Sequence, residues 1–341
     1  MRMTLLNGSK LIIMTALAAM CAACEIDQGG GPTPQPVVQT AAVTYGPIEG
    51  FSSVIVNGEI IPINSSVILA NGVPVAETDL NVGQVVRVLS LIENNAQSAL
   101  LVEYQANVTG PVSAVDTVNG VLTVLGQTVN LSAVVNFDIP GVTTIDDIVV
   151  GTNIEVSALK DTNGDLFASY LGVPAINNQF SLGTSISAVD LNTMQFTLGG
   201  VTIDYSQASI LEIPFGQPAI GQVVLVTGVS LGGAGELIAD SVVQLAAEPG
   251  IFSVADTDLN SANAASLNTN QLSAFTANFV GFIEISDNAT NLTINNVTVS
   301  FDAMTTIVGG AAADLNVGTR VRVSGEVTNL GNVLAAEITI L

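Results

Sequence analysis

The side chains of this chain that could do chemistry are almost all carboxylates. The sequence has 29 Asp and Glu residues, only 6 Lys and Arg residues, and no His. Without His, Ser-His-Asp and Cys-His nucleophile systems and His-based zinc, haem and non-haem iron sites cannot be built. Two carboxylate chemistries remain: a pair of acids that hydrolyses a glycosidic bond, and an oxygen-rich loop that binds Ca²⁺.

The nearest approach to a catalytic acid pair is the group Asp146, Asp147 and Glu155. Carboxylates at the surface ends of strands are far commoner than carboxylates that do catalysis. We therefore expect no catalytic residue and no enzyme activity. A carboxylate-based hydrolase is kept as a remote alternative.

One segment resembles the start of a calcium-binding loop, with Asp161, Asn163 and Asp165 at alternate places. The calcium motif needs Gly at its sixth place and Glu at its twelfth, where this chain has Leu166 and Gly172. We interpret the segment as a plain hairpin turn that contains weak metal candidates. Neither a bound metal nor a cofactor is expected.

The charge of the chain limits the classes of partner that it can bind. The net charge is −23 at pH 7, and it arises from the scarcity of Lys and Arg rather than from acidic tracts. Such a chain is repelled by phosphate backbones and by anionic lipid surfaces. Single-strand binding also needs a basic groove with stacking aromatic residues, and the chain has no Trp. No nucleic-acid partner is expected.

The first 23 residues are typical of a bacterial secretion signal. Arg2 and Lys10 supply positive charge, and Leu11–Ala19 form an apolar core of about half the length that spans a membrane. The small residues before Cys24 resemble a lipobox, in which the Cys is lipidated and becomes the new N-terminus. We predict a lipoprotein signal peptide at residues 1–23 and lipidation at Cys24, with ordinary secretory cleavage as the alternative.

Residues 24–42 are predicted to be a flexible tether that is rich in Gly and Pro. The lipid would hold the folded body at a membrane, since each buried methylene contributes about 0.8 kcal/mol. Glu25 stands where Asp would favour retention in the inner membrane of enteric bacteria. We therefore expect general export and anchoring in the outer membrane, with the body on its periplasmic or surface face.

A pentapeptide marks an internal repeat. Asp-Leu-Asn-Val-Gly occurs at Asp79–Gly83 and at Asp314–Gly318, and degenerate copies end at Gly151 and Gly221. The third and fifth residues after each Gly are β-branched, which is the period of two that is typical of a strand. The column between them is predicted to face solvent; it holds Arg87, Glu155, Leu225 and Arg322. Because Asp79 and Asp314 are replaced in the middle copies, where Asp147 is the only acid nearby, the motif is interpreted as a turn rather than a site.

Upstream of each of these Gly residues, two short strands meet across a two-residue turn. The four turns are Asn57-Gly58, Leu125-Gly126, Gly199-Gly200 and Asn295-Asn296. Asn and Gly tolerate the positive φ that such hairpin turns need, so Leu125 is the weakest member of the set. Each repeat is therefore predicted to contain about five short antiparallel strands.

We predict an all-β fold: a tandem array of four small antiparallel β-barrel repeats, each OB-like, after the signal peptide and tether. The predicted repeats span residues 43–107, 108–177, 178–246 and 277–341. Residues 247–276 are predicted to be a linker or insertion, with a short helix around Ala264–Phe275 as one option. One continuous β-sandwich or solenoid is the alternative architecture.

Several segments resemble a known family. Gly46–Gly58 is similar to the opening of a group of multi-repeat bacterial lipoproteins, Gly110–Val112 and Val121–Val129 are similar to their second repeat, and Ile203–Ala208 is similar to their third. The repeats of this group are classed as a domain of unknown function, DUF5666. The resemblance covers nearly all of residues 43–246, and the fourth unit fits more loosely. It implies no catalytic or binding residue, since the family has no established activity.

These observations lead us to expect a lipid-anchored envelope protein with a non-enzymatic, structural or protein-binding (adhesive) role. Its partners would be the membrane, through the N-terminal lipid, and an envelope or surface protein. The alternative is a small-ligand or carbohydrate-binding module that uses a barrel mouth or a cleft between units and could use Ca²⁺. Tyr104 and Tyr170 share one column of the last strand, where we expect a barrel rim rather than a ligand patch.

Overall fold

The fold is known from a computed structural model that describes residues 39–64, 66–175, 179–211, 213, 216–233, 235–244, 251, 272–287, 289–329 and 331–341. These residues form strands and short 3-10 turns, and they contain no α-helix. The predicted all-β class is therefore confirmed. In this part of the chain no helix is long and apolar enough to cross a membrane. The predicted signal peptide and Cys24 lie outside the described residues.

The strands fall into four groups along the chain, which we call units 1 to 4. Unit 1 contains β1 Gln39–Phe51, β2 Val54–Val56, β3 Glu59–Ile61, β4 Val67–Ala70, β5 Val73–Pro74, β6 Val85–Glu93 and β7 Ala96–Tyr104. Unit 2 contains β8 Val108–Asp116, β9 Val121–Val124, β10 Gln127–Asp138, β11 Asn153–Lys160 and β12 Leu166–Gly172. Unit 3 contains β13 Phe180–Asp190, β14 Gln195–Leu198, β15 Val201–Asp204, β16 Ser209–Leu211, β17 Val223–Gly228, β18 Ser230–Leu231, β19 Leu237–Ile238 and β20 Ser241–Gln244. Unit 4 contains β21 Leu272–Ser286, β22 Asn291–Ile294, β23 Val297–Ser300, β24 Thr306–Val308, β25 Arg320–Asn329 and β26 Asn332–Ile340.

Strand pairing is cyclic within units 2 and 4. In unit 4, β21 pairs with β22, β22 with β23, β23 with β26, β26 with β25, and β25 with β21. In unit 2 the same order runs through β8, β9, β10, β12 and β11 and returns to β8. Each of these two cycles contains one parallel pair, β23 with β26 and β10 with β12, and its other pairs are antiparallel. In unit 4, β24 also pairs in parallel with β26, outside the cycle.

The four predicted hairpin turns are confirmed. Both central residues of every turn have positive φ, including Leu125 at 43°. A positive φ costs Leu free energy that Gly and Asn avoid, so the cross-strand pairs on either side must hold this turn in place.

Sheets also run from one unit into another. β1 pairs in parallel with β21 from Gln39–Leu272 to Tyr45–Phe279, and β8 pairs antiparallel with β13 at two positions. Unit 1 is thereby joined to unit 4, and unit 2 to unit 3, in two 13-stranded sheets. The predicted tandem array of four separate OB-like barrels is wrong in this respect, because the free edge of a leading strand is paired with another unit's leading strand. The described strands are arranged as a β-solenoid, which is one form of the continuous alternative.

The pairing between units also explains why two strands begin earlier than predicted. β1 begins at Gln39, inside the predicted tether 24–42, and β21 begins at Leu272, inside the predicted insertion 247–276. These first residues pair with each other, so each supplies hydrogen-bonding groups that the other would lack alone. Leu272–Phe275 is therefore strand and not the optional helix, and residues 252–271 lie outside the described residues.

Apolar side chains are buried in four clusters. Units 2 and 3 share one core, and units 1 and 4 each have a core of their own. Val43 of β1 packs in the core of unit 4, which ties the two units together. The fourth cluster joins three units through Val85, Leu159, Val280 and Phe282. The burial of these clusters accounts for the hydrophobic driving force that holds the units against one another.

The column predicted to face solvent is buried in two units. Arg87 on β6 is 5% exposed, and Glu155 on β11 is 7% exposed. The prediction is wrong there because β11 lies against β6 and β21, so outer faces of units 1, 2 and 4 meet. Period-two alternation shows which face of a strand packs inside its own unit. It does not show whether another unit covers the opposite face.

Candidate functional site

The polar contact between units 1 and 2 is the candidate functional site, and we call it the seam. On the side of unit 1 it consists of Asn71, residues 81–85 and Tyr104; on the side of unit 2 it consists of Asn136, Asp138, Glu155, Ser157, Ser169 and Tyr170. β7 carries Tyr104 and β11 carries Glu155, and these two buried polar side chains meet in the seam.

Glu155 is the buried carboxylate of the seam. The Tyr104 hydroxyl donates to Glu155 Oε1 at 2.6 Å, and Asn71 Nδ2 donates to Oε2 at 3.2 Å. Burial raises the pKa of Glu155 above its ordinary value, and the two hydrogen bonds oppose that rise. Burial, together with the charge of Glu155, also holds the pKa of Tyr104 well above its usual range. Tyr104 and Glu155 therefore form a hydrogen-bonded bridge between units 1 and 2. Burial in this bridge disfavours the charged form of the Glu155 carboxyl group.

Tyr170 makes a second bridge across the seam. Its hydroxyl donates to Asp138 Oδ2 at 3.1 Å and accepts a hydrogen bond from Asn81 Nδ2 at 3.2 Å. Burial, followed by the neighbouring Asp138 carboxylate, raises the pKa of Tyr170. Tyr104 and Tyr170 are both buried at this contact, so the expectation of an open barrel rim is wrong for both.

Three backbone groups of unit 1 are satisfied by side chains of unit 2. The Val85 N–H donates to Ser157 Oγ at 2.8 Å, and Ser169 Oγ donates to the Gly83 carbonyl at 2.6 Å. Asn136 Nδ2 donates to the Val82 carbonyl at 2.9 Å. These bonds fix residues 82–85 against unit 2, and buried backbone groups would be costly to leave unpaired.

A groove with a volume of about 520 Å³ opens at one end of the seam. It is lined by one residue of unit 2, Asn136, and by six residues of unit 1: Phe51, Glu77, Thr78, Leu80, Asn81 and Val82. Its walls therefore come from both units. It combines an aromatic ring with amide, hydroxyl and carboxylate groups, which is a composition suited to binding a small polar molecule.

The acids singled out for hydrolysis have separate partners. Asp147 Oδ2 accepts hydrogen bonds from the N–H groups of Thr143 and Thr144, and these bonds lower the pKa of its carboxyl. Glu155 instead binds Tyr104 and Asn71 in the seam. The hydrogen bonds therefore assign Asp147 to a turn and Glu155 to an inter-unit contact.

The weak metal candidates form a turn. Asp161 Oδ1 accepts the N–H groups of Asn163 and Asp165, both at 2.9 Å, and Oδ2 accepts Asn163 Nδ2. Asp161 thus satisfies the backbone of the hairpin between β11 and β12, as the turn interpretation predicts. Among the described residues no three or more Asp, Glu, Cys or His side chains are grouped so that they could hold a metal ion.

The acid of the pentapeptide recurs in three units, which sequence reasoning missed. Asp79, Asp147 and Asp314 each stand four residues before the repeat Gly and end a 3-10 turn. The Oδ2 atom of each accepts the N–H of the residue three places earlier, at 2.8–3.0 Å. Aligning this acid column would have revealed the shared role, which is capping of the turn.

The residue just before the repeat Gly is exposed and β-branched in every unit. In each unit the Gly N–H donates to a carbonyl of the leading strand at 2.8 Å, so the four turns are structurally equivalent. The exposed fractions are 40% for Val82, 59% for Val150, 70% for Ile220 and 55% for Val317. We call these four side chains the knobs.

Comparison with protein families supports the repeat. The model of a domain of unknown function, DUF5666, matches residues 109–171 and 280–339. Each match begins in the leading strand of a unit, β8 or β21, and ends in its last strand, β12 or β26. The resemblance to DUF5666 is therefore confirmed in units 2 and 4, while the lipoprotein part of the expectation stays a prediction. Unit 4, which fits more loosely from the sequence, is one of the two units matched. A comparison with curated proteins gives no match.

Proposed function

Because the chain carries two domains of the DUF5666 family, we propose that it is a non-enzymatic repeat protein that binds other proteins at the bacterial envelope. The same cyclic strand order recurs in units 2 and 4, so the body is built from structural repeats. The architecture multiplies one surface element four times, which suits a multivalent or adhesive role.

The recurrence of the knobs is the observation that carries this proposal. A single exposed Val or Ile is ordinary on a protein surface. Here a β-branched side chain occupies the same exposed turn position in four units, although turns favour Gly, Asn, Asp and Ser. Apolar side chains presented repeatedly to solvent gain free energy when a partner protein covers them.

The proposed location in the cell depends on the N-terminal sequence. Export, lipidation at Cys24 and attachment to the outer membrane would place the four units at a surface where proteins meet them. The lipid would also confine the body to two dimensions and raise the effective concentration of a membrane partner.

The test is affinity capture from envelope extracts with the full-length protein as bait. The triple variant V150S/I220S/V317S removes three knobs without touching a buried side chain. Its control is V118S/I285S/M304S, which replaces apolar residues at other positions that are 64% to 91% exposed. We expect a protein that is captured by the wild type and by the control to be lost with the triple variant. Equal capture by all three baits, or capture of nothing by the wild type, would contradict the proposal.

A further inference from the structure

The groove at the seam is independent of the knobs apart from Val82, and its chemistry indicates a ligand. Its volume of about 520 Å³ lies within the range of about 300–1,000 Å³ that is usual for small-molecule sites. Six of its seven lining residues belong to unit 1, and Asn136 of unit 2 completes its wall. A ligand there would touch both units at once.

Phe51 gives the groove an aromatic platform. Its side chain is 40% exposed, and it ends β1, where it pairs with Val54 of β2. Ser53 in the connecting turn has φ 128°, a strained value for a residue with a side chain. The tight turn fixes the backbone at Phe51, and a partly exposed aromatic ring can pack on the C–H face of a sugar ring.

The amide groups of the groove are held in place from across the seam. Asn81 donates to the buried Tyr170 hydroxyl, and Asn136 donates to the Val82 carbonyl. Each of these bonds uses an N–H, so the side-chain carbonyl oxygen of each amide can accept a hydrogen bond from a ligand hydroxyl. Side chains that are already fixed lose little entropy on binding, which is the basis of preorganised recognition.

The charge of the groove selects against anions. Glu77 lies in its wall, and none of the described residues that line it is basic. The carboxylate of Glu77 and the hydroxyl of Thr78 can both accept hydrogen bonds from sugar hydroxyls. A uronic acid or a sugar phosphate would meet a like charge here instead of a cation.

We infer that the groove formed by Phe51, Glu77, Asn81 and Asn136 binds a neutral saccharide of one or two rings. Phe51 stacks on one sugar face, and the amides and Glu77 bind the hydroxyls at its edge. The site goes beyond the protein-binding role and does not depend on it.

Calorimetric titration of the full-length protein tests this inference. The probes are cellobiose, maltose and N,N′-diacetylchitobiose, with digalacturonate as the anionic counterpart. We expect at least one neutral disaccharide to bind at one site per chain and to raise the Tm, and digalacturonate to bind at least about tenfold more weakly. Phe51→Ala should weaken binding of the neutral sugar by about tenfold or more, because it removes the stacking face.

Two controls separate site loss from misfolding. Val118→Ala changes a 91% exposed side chain at a hairpin tip and should leave affinity unchanged. Asn136→Ala should weaken binding while the circular dichroism spectrum stays that of the wild type. The inference is overturned if none of the three neutral disaccharides binds, if Phe51→Ala binds as tightly as the wild type, or if digalacturonate binds at least as well.

Discussion

The Tyr104 hydroxyl donates to Glu155 Oε1 at 2.6 Å and so connects β7 of unit 1 to β11 of unit 2. Glu155 is almost fully buried there, and Asn71 supplies its second hydrogen bond. Removing a carboxylate from water disfavours its charged form, which is why its pKa is raised. The contact between these units should therefore respond to pH.

Glu155→Gln should change how stability depends on pH. The folded protein keeps the Glu155 proton to a higher pH than the unfolded chain does, so this residue's contribution is fully present below the ordinary Glu pKa of 4.5. It is lost as the pH rises through the raised pKa. Gln cannot ionise, so the Tm of the variant minus the Tm of the wild type should increase over that interval.

Thermal unfolding of both proteins from pH 4 to pH 8 measures this difference. Glu326→Gln is the control, because Glu326 is an exposed acid on β25. Its Tm difference from the wild type should stay nearly constant over the same range. A constant difference for Glu155→Gln as well would show that Glu155 is not buried as an acid in the seam.

Gly83→Ala should destabilise the protein more than Gly151→Ala. The two residues end equivalent turns and have nearly equal φ, +90° and +93°. An Ala at either position is strained by about 1–2 kcal/mol. At Gly83 the added Cβ would also lie 2.3 Å from the Ser169 carbonyl oxygen of unit 2, whereas at Gly151 nothing lies within 4 Å.

Urea unfolding of the two glycine variants provides the measurement. Relieving the clash at Gly83 requires units 1 and 2 to separate, and we expect a further loss of about 1–3 kcal/mol beyond that of Gly151→Ala. Equal losses in the two variants would mean that the turn of unit 1 does not pack on unit 2 in solution.

Cys24→Ala should abolish lipid attachment. In a bacterial host fed a labelled fatty acid, the wild type should carry the label and fractionate with membranes. The variant should be unlabelled and should be recovered in the soluble fraction. Cys21→Ala is the matched control, since it removes the neighbouring thiol and should keep the label. A labelled Cys24→Ala protein would place the modification elsewhere.

Local features of the fold could be predicted from the sequence. The turn at Asn57-Gly58 and its three counterparts depend on φ preferences of two residues, and the strand after Gly83 depends on alternation over five residues. Both kinds of signal are contained in a short segment. The resemblance to DUF5666 could also be found from the sequence, because it depends on contiguous segments.

The contacts between units could not be predicted in the same way. Glu155 lies in a column that alternation assigns to solvent, yet it is buried because its strand packs against unit 1. Its hydrogen-bond partner there, Asn71, is 84 residues away in the sequence. The pairing of Gln39 with Leu272 likewise joins segments that are far apart in the chain. Which units meet depends on long-range packing, and a single sequence carries little signal for it.

Photo-crosslinking in living cells tests the protein-binding role most directly. A benzophenone amino acid is placed singly at Val150, Ile220 and Val317, and singly at the control positions Val118 and Met304. The three knob positions should yield crosslinks to one and the same envelope protein, and the two control positions should not. Crosslinks absent from all three knobs, or equally frequent at the controls, would contradict it.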